Sequence, residues 1–528
     1  MDGDGRAMTL DGLLQDIKYE VIQEGRGISQ EISSITIDSR KVTSGGLFIC
    51  IIGLTMDGHE FIYDAAKAGA SAIIMEKYKW TQMWPENSGR IYPRPVGYDG
   101  RFQARGSDTP GVELMYPEGV TIIQVENTRQ VMALIAAHLY GHPARKLNLI
   151  GVTGTNGKTT TTHFIEEILR QCGHKTGIIG TNGARVGESL IDIPFATSTT
   201  PDPMELQEIF AYMVDQGVKY VVMEVSSHAL AFFKVEGLVF DVGVFTNLTQ
   251  DHLDLHGTMD NYRLAKAQLF AQSRFAVVNG DDESTPVMLA HLGNDSYLTY
   301  GLQKNAGLMA LHITHHISGT LFEVNLGGEE QKFTLNAKGR FNIYNALAAI
   351  GTCHKLGIPL ERICQTQIHG VTGRIQDVPN SLGVHVLVDY AHTPDGVTNI
   401  VQSVREFTSG LVVIILGCGG DRDSGKRPIM GRIAGELADY VILTSDNPRT
   451  EDPETIISQI EEGIKTTKVS YAIYESRREA IFRGVRMLTP GDALIIAGKG
   501  HEDYQIIGTI KHHFSDYETA LEALESCS

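Results

Sequence analysis

The strongest constraint on this chain is one stretch, Gly151-Val152-Thr153-Gly154-Thr155-Asn156-Gly157-Lys158-Thr159-Thr160. Lys146 to Ile150 before it reads as a buried strand. Phe164, Ile165, Ile168 and Leu169 after it recur at helical spacing. Strand, glycine-rich turn, then Gly-Lys-Thr opening a helix is the context of a phosphate loop. Glycines let several backbone N–H groups face one anion, and the helix N-terminus adds its dipole. Lys158 brings a mobile positive charge for the outer phosphates, and the Thr159 hydroxyl suits Mg2+. The usual spacing has glycine five residues before Gly157, where Val152 stands.

A chain of 528 residues has room for about three domains. Its net charge of −18 argues against nucleic acid as a partner, because a phosphate backbone needs a basic face. A phosphorylated small molecule in a local basic pocket remains compatible. The six cysteines are scattered without a C-x-x-C pair, which speaks against a zinc site or disulfide framework and for a reducing cytoplasm. Met1 to Asp11 is polar and acidic, unlike a signal peptide, and no apolar run is long enough for a membrane span.

The expected organisation is α/β throughout. A first unit covers 1–148. In it, Gly45 to Gly53 reads as a turn and buried strand, Ala65 to Ala70 as helix, Ser71 to Met75 and Thr121 to Val125 as strands, and Arg129 to Tyr140 as helix. Trp80 to Val120, holding both tryptophans and many prolines and glycines, reads as an irregular insertion. A central unit, 149–373, alternates strands (Thr176 to Gly180, Val218 to Val225, Phe240 to Phe245, Phe275 to Val278) with helices, implying a mostly parallel sheet. A third unit, 374–528, repeats the alternation as a Rossmann-like domain without the dinucleotide fingerprint. Its strands are Val384 to Val388, Leu411 to Leu416, Tyr440 to Thr444, Val469 to Ile473 and Ala493 to Ala497, with helices Pro428 to Ala438 and Pro453 to Ile464.

Ligands of such sheets bind at the carboxyl ends of the strands, where Glu224 and His252 fall. A hard carboxylate oxygen and a neutral imidazole, with Thr159, suit a two-metal phosphoryl-transfer site. By spacing alone, Lys266 in Tyr262-Arg263-Leu264-Ala265-Lys266 is an ordinary surface lysine.

These residues together carry a resemblance. Thr153 to Thr159, Glu224-Val-Ser-Ser-His228, Thr246-Asn-Leu248, Asp251-His-Leu-Asp-Leu-His256 and Asp389-Tyr-Ala-His392 resemble the Mur ligase family, ATP-dependent amide-bond ligases that build the peptide stem of bacterial cell-wall precursors. Asp38-Ser39-Arg40, Ser198-Thr-Thr-Pro201, Gly417 to Asp423, Asp446-Asn-Pro-Arg449 and Gly498-Lys-Gly-His-Glu-Asp503 resemble the branch that adds the third amino acid. The resemblance implies a three-domain fold: a UDP-binding domain, a central ATPase domain and a C-terminal amino-acid domain. It implies meso-2,6-diaminopimelate and UDP-N-acetylmuramoyl-L-alanyl-D-glutamate as substrates, with ATP as co-substrate and Mg2+ as cofactor. A cytoplasmic monomer is expected. The alternatives are the same architecture adding L-lysine or another amine, a folate polyglutamate ligase, and a phosphate-loop switch protein.

Residue by residue, the resemblance assigns Ser39, Leu54, Thr55, Met56, Ser198, Thr199, Thr200, Ser226 and Lys234 to the UDP precursor. It assigns Thr153, Gly154, Thr155, Asn156, Gly157, Lys158, Thr159, Asn342, Asn345, Arg374, Asp389 and His392 to ATP. Lys158, Glu224, His252 and Lys266 become the catalytic group. Thr159, Glu224, His252 and Lys266, the last as a carbamate, become metal ligands. Arg422, Asp446, Asn447, Pro448, Arg449, Gly498 and Glu502 would select the amino acid. Diaminopimelate carries a second carboxylate at its far end, and arginine forks match carboxylates. The chain departs from the family's pattern at Ser198, where asparagine is common, at Lys234, where arginine is, and at Gln376, where glutamate is.

Overall fold

The computed structural model describes residues 8–527, apart from 54–55, 78–115, 195–198, 291, 304–305 and 317–318. Leu54, Thr55, Ser198 and most of the Trp80 to Val120 stretch therefore lie outside the described residues. The chain divides into two compact units, one of 1–144, 202–211 and 232–237, the other of 145–201, 212–231 and 238–528.

The smaller unit is built on a five-stranded sheet in the order Glu20–Gln23, Thr121–Val125, Ala70–Glu76, Gly46–Ile49, Ile35–Thr36. Its first pair is antiparallel and the others parallel. Leu47, Ile49, Ile74, Ile123 and Ile135 share its core. The helix expected over Ala65 to Ala70 instead runs Ile62–Lys67. Gly69, at φ 109°, turns the chain, so Ala70 already begins the next strand.

Among the described residues the larger unit carries two large sheets and the two-stranded hairpin Tyr504–Ile507 with Ile510–His513. The first has twelve strands, in the order Ile368–His369, Glu329–Asn336, Gly319–Leu326, Leu308–His316, Tyr297–Gly301, Ala276–Asn279, Val242–Phe245, Asn148–Thr153, Tyr220–Glu224, Thr176–Gly180, Gly183–Val186, Ser189–Leu190. Its centre is parallel, as the alternating pattern requires. Both flanks carry antiparallel pairs, one of them closed at its edge by the parallel strand Ile368–His369, and the antiparallel stretch over Leu308 to Asn336 has no counterpart in the expected strands. Buried on both faces, the central strands are continuous apolar runs, which makes them the easy part to read.

The second sheet has six strands, Gln376–Asp377, His385–Asp389, Ala493–Ala497, Val412–Leu416, Tyr440–Leu443 and Ser470–Ile473. All but the first are parallel. The expected strand Leu411 to Leu416 begins at Val412, since Leu411 is half-exposed. Helices Lys426–Leu437 and Pro453–Ile464 cover one face. They cross closely because glycine stands at the crossing: a Cβ added at Gly463 would lie 1.8 Å from the Pro428 carbonyl oxygen. Gly463→Ala is expected to force the helices apart and cost about 1–3 kcal/mol, read as a lower urea midpoint. An unaltered midpoint would mean the crossing is not close-packed.

Candidate functional site

The strand Asn148–Thr153 runs straight into the glycine turn, and the helix Lys158–Gln171 opens at Lys158. Val152 is still part of that strand, paired with Glu224 and Val244 and fully buried. Its side chain packs in the core, so the loop proper starts at Gly154 and needs no glycine at 152. Gly157, at the helix entrance, has φ 83°, a conformation glycine adopts without the strain of a Cβ.

Neighbouring segments hold the loop. Asn156 N–H donates to Asn247 Oδ1 at 2.9 Å, and Thr246 Oγ1 donates to Asn156 O at 2.6 Å. Thr155 Oγ1 donates to Thr249 O at 3.1 Å and lies 3.2 Å from Tyr262 OH. Asn156 Nδ2 donates to Asp395 Oδ2 at 2.8 Å. Thr161 Oγ1 donates to Asn345 Oδ1 at 3.2 Å, and Asn345 Nδ2 to Asn342 Oδ1 at 3.1 Å. The two asparagines assigned to ATP thus lie against the loop's helix.

Two lysines converge on one oxygen. Lys158 Nζ donates to Gly154 O at 2.9 Å and to Thr155 O at 3.0 Å, and Lys266 Nζ donates to the same Gly154 O at 2.8 Å. Lys266 is 1% exposed, which overturns the surface-lysine reading of its spacing. Its Nζ also lies 4.4 Å from the Tyr262 ring centre. Burial, then the charge of Lys158, pushes the Lys266 pKa well down. Burial likewise lowers that of Lys158.

Thr159 Oγ1 donates to Glu224 Oε1 at 3.0 Å, and Arg374 NH2 approaches Thr159 Oγ1 at 3.3 Å. Glu224 also accepts from Thr181 N–H at 2.8 Å. The hydroxyl and carboxylate are hard oxygen donors at the strand ends, and they fit a hard divalent cation. His252 stands at φ 54° with its ring edge-on to His228 at 4.7 Å and its Nε2 3.4 Å from Asp251 Oδ2. Burial holds its pKa down to about 3, leaving a neutral imidazole able to donate a lone pair. Among the described residues no three His, Cys, Asp or Glu side chains form a metal cluster. A cation here would draw on the Thr159 hydroxyl and the Glu224 carboxylate, with phosphate oxygens adding to its sphere. Thr153 Oγ1 and Arg374 Nε are buried without hydrogen-bond partners beside the loop, a donor set suited to an anion.

Arg374 stacks on Tyr390 at 4.5 Å. Asp389 accepts from Ile375 N–H and Ala391 N–H, each at 2.8 Å, and burial raises its pKa. His392 Nδ1 lies 2.8 Å from Tyr390 O, and burial brings its pKa down to about 4. Thr200 Oγ1 donates to Glu224 O at 3.0 Å and accepts from Ser226 N–H at 3.1 Å, while Thr199 Oγ1 lies 3.4 Å from Thr181 Oγ1. These precursor candidates line up beside Glu224. In the smaller unit, Lys234 pairs with Asp202 at 2.7 Å, Ser39 opens a short 3-10 turn capped by Asp38, and Met56 is exposed.

The amino-acid candidates gather at the strand ends of the six-stranded sheet. Arg449 sits at φ 51° and is held there by the hairpin Tyr504–His513: its N–H donates to Ile506 O at 3.1 Å, and its carbonyl accepts from Gly508 N–H at 2.8 Å. Such a backbone position is costly for a non-glycine residue and recurs at functional sites. Arg449 NH1 donates to Gly420 O at 2.7 Å, and Arg422 NH1 to Asp421 O at 2.9 Å. Burial, then Arg422, lowers the Arg449 pKa, and both side chains flank Gly419, where an added Cβ would meet Arg449 NH1 at 2.8 Å and Arg422 Cγ at 3.9 Å. Asn447 Nδ2 donates to Glu502 Oε2 at 2.9 Å, and Gln505 Nε2 to Asp446 O at 2.6 Å. Pro448 O accepts from Glu451 N–H, and Gly498 N–H donates to Asp389 O at 3.0 Å.

Several residues of the site were not singled out from sequence. Lys426 Nζ pairs with Asp251 Oδ1 at 3.3 Å, both buried. Arg427 forks onto Glu451 and also donates to Gly419 O. Lys499 and Arg477 lie buried beneath Asp446 and Glu502. Lys426 and Asp251 are 175 positions apart, and such a pair leaves no local pattern. Only the closeness of Lys426 and Arg427 to Arg422 in sequence is a hint.

A phosphate loop on a parallel sheet, with a second α/β sheet supplying a cationic pocket, defines a nucleotide-binding protein with a second substrate. The models that match are the Mur ligase family catalytic domain at 31–140, the Mur ligase middle domain at 152–353 and the Mur ligase glutamate ligase domain at 373–500. A curated UDP-N-acetylmuramoyl-L-alanyl-D-glutamate--2,6-diaminopimelate ligase of Caldanaerobacter subterraneus subsp. tengcongensis is 40% identical over 518 residues, covering 98% of this chain and 99% of its own. A solved structure of the same named enzyme is 29% identical at TM-score 0.63, covering 99% of both chains. The Thermotoga maritima MurF ligase in complex with ADP shares the fold at 17% identity and TM-score 0.57, covering 93% and 97%. This chain belongs to the Mur ligase family.

Lys158→Ala is expected to cut ADP release by more than about a hundredfold, the loss that goes with removing a cation placed to neutralise a transferring phosphoryl group. A variant that keeps turning over nucleotide would remove the loop from the chemistry.

Proposed function

We propose that the chain is an ATP-dependent acid–amino-acid ligase that adds meso-2,6-diaminopimelate to UDP-N-acetylmuramoyl-L-alanyl-D-glutamate, a step in making peptidoglycan precursor. The observation that carries the reading beyond family membership is the pocket of Arg422, Arg449, Asn447 and Glu502. It offers two guanidiniums to a far carboxylate and a carboxylate to a far ammonium. An amine without that carboxylate would leave a half-buried arginine unpaired.

The D-glutamyl side-chain carboxylate attacks the γ-phosphorus of ATP, and the bond to the bridging oxygen breaks to release ADP. Lys158 and Arg374 stabilise the charge on the transferring group. The amine of diaminopimelate attacks the resulting acyl phosphate. The carbon–oxygen bond to phosphate breaks, and the nitrogen loses its proton. Thr159, Glu224 and His252 would hold Mg2+, which supplies charge neutralisation at the phosphate oxygens when bound. Thr199, Thr200 and Ser226 orient the precursor beside Glu224, and Ser39, Met56 and Lys234 serve its nucleotide end. Asn342, Asn345, Asp389 and His392 shape the ATP site. Closure around the reactants excludes water, which would otherwise hydrolyse the acyl phosphate. Domain limits of 1–148, 149–373 and 374–528 divide these tasks. The enzyme works as a cytoplasmic monomer, where its nucleotide substrates are made.

Lys266 fits a carbamate. Burial beside Lys158 favours the neutral form of its amine, and it is the neutral amine that attacks CO2. A nitrogen–carbon bond forms, one carbon–oxygen π pair moves onto oxygen, and the nitrogen releases a proton. A repelled cation becomes an anion that Lys158 attracts.

The deciding experiment is an amino-acid panel with the UDP-dipeptide precursor, ATP and magnesium, scored by phosphate release and amide product. Diaminopimelate alone should give product; preference for L-lysine would overturn the specificity. Lys266→Ala is expected to lose activity by at least about a hundredfold and to recover partly with added short carboxylates. An inert substitution would exclude the carbamate. Arg449→Ala should raise the KM for diaminopimelate about tenfold or more while leaving that for ATP alone, and equal rises would deny it the selecting role.

A further inference from the structure

We infer that Lys499 and Arg477, which lie beneath the amino-acid pocket, are positioning residues that fix the configuration accepted at the far centre of the incoming diamino acid. The inference rests on the pocket reading above.

Both cations are buried, Lys499 at 0% and Arg477 at 2% exposure. Burying a charge is costly unless it is paired, and each is paired with the pocket's acidic side. Lys499 Nζ donates to Glu502 Oε2 at 3.1 Å and to Asn447 Oδ1 at 3.2 Å. Asn447 Nδ2 donates to the same Oε2. Two donors therefore tie back one oxygen of Glu502 and leave Oε1 for a ligand. Arg477 forks onto Asp516 with two contacts of 2.7 Å, and its NH2 also donates to Ala497 O at 2.9 Å. Its NH1 makes no hydrogen bond and lies 3.9 Å from Asp446 Oδ2. That nitrogen thus faces the carboxylate next to Asn447.

The far end of diaminopimelate has an ammonium, a carboxylate, a hydrogen and the chain on one carbon. The carboxylate faces Arg449 and Arg422, and the chain points to the reacting end. Handedness is then decided by where the ammonium must go. A freely turning Glu502 could meet it from either side and would hold both configurations. With one oxygen tied back, the acceptor lies on one side only, and one configuration fits.

The test uses the full chain with precursor, ATP and magnesium, comparing kcat/KM for the meso and L,L isomers of diaminopimelate. Lys499→Met is expected to raise the KM for the meso isomer about tenfold and shrink the meso to L,L ratio about tenfold, as for one lost charged hydrogen bond. The KM for ATP should stay within about twofold. Lys499→Arg keeps the charge and should restore most of the ratio. Arg477→Lys, which keeps the pair with Asp516, should lower the ratio independently and covers the case in which Lys499→Met misfolds. An unchanged ratio in both variants, or equal rises in the KM for ATP and for the amino acid, would overturn the inference while leaving the pocket reading intact. A wild type that forms no amide with either isomer would take down the pocket reading and this inference with it.

Discussion

Two ammonium groups meeting at the Gly154 carbonyl are the constraint around which the rest of the site is arranged. Like charges brought together out of water repel strongly. The fold tolerates them by lowering both pKa values and by ringing the oxygen with fixed partners. Thr246 and Asn247 hold the backbone that carries the carbonyl, Tyr262 lies under Lys266, and Glu224 holds the neighbouring Thr159. A site with this surplus of positive charge is built for polyanions, and a nucleoside triphosphate supplies one.

The second reactant is handled by strain and pairing. Arg449 and Asp421, brought side by side through Thr450, both adopt left-handed backbone, and so does His252 beside the phosphate loop. None is glycine, so each conformation must be imposed by neighbours. The hairpin Tyr504–His513 imposes it on Arg449, and a contact with Thr450 secures Asp421. Close by, the buried Arg427 guanidinium pairs with the partly exposed Glu451, and Arg477 pairs with Asp516, both fully buried. A charge buried singly would be expensive, so each buried guanidinium is held by its carboxylate.

Much of this was legible in the sequence, and the limits have physical causes. Fully buried parallel strands announce themselves as apolar runs, so the strands around Val152, Glu224, Phe245 and Leu416 stand out. The antiparallel flank over Leu308 to Asn336 alternates exposed and buried residues, a weaker signal. Lys266 read as a surface residue because helical spacing says nothing about what packs against the helix. Family motifs corrected that reading, and the buried position agrees. Arg477 and Lys426 escaped notice because their partners Asp516 and Asp251 lie far along the chain, whereas Lys499 stands three residues from its partner Glu502 inside a quoted motif and only its full burial sets it apart from an ordinary lysine.

The amide N–H of Gly498 meets the carbonyl of Asp389 across adjacent strands His385–Asp389 and Ala493–Ala497. The amine-selecting candidates sit on turns, Gly498 and Glu502 after Ala493–Ala497, Arg422 after Val412–Leu416, and Asp446 to Arg449 after Tyr440–Leu443, while the ATP candidate Asp389 ends its own strand. New amine preferences can thus arise by exchanging turns and leaving the framework untouched. The backbone link at Gly498, where the paired strands give way to the turn, is a seam that any such graft must preserve.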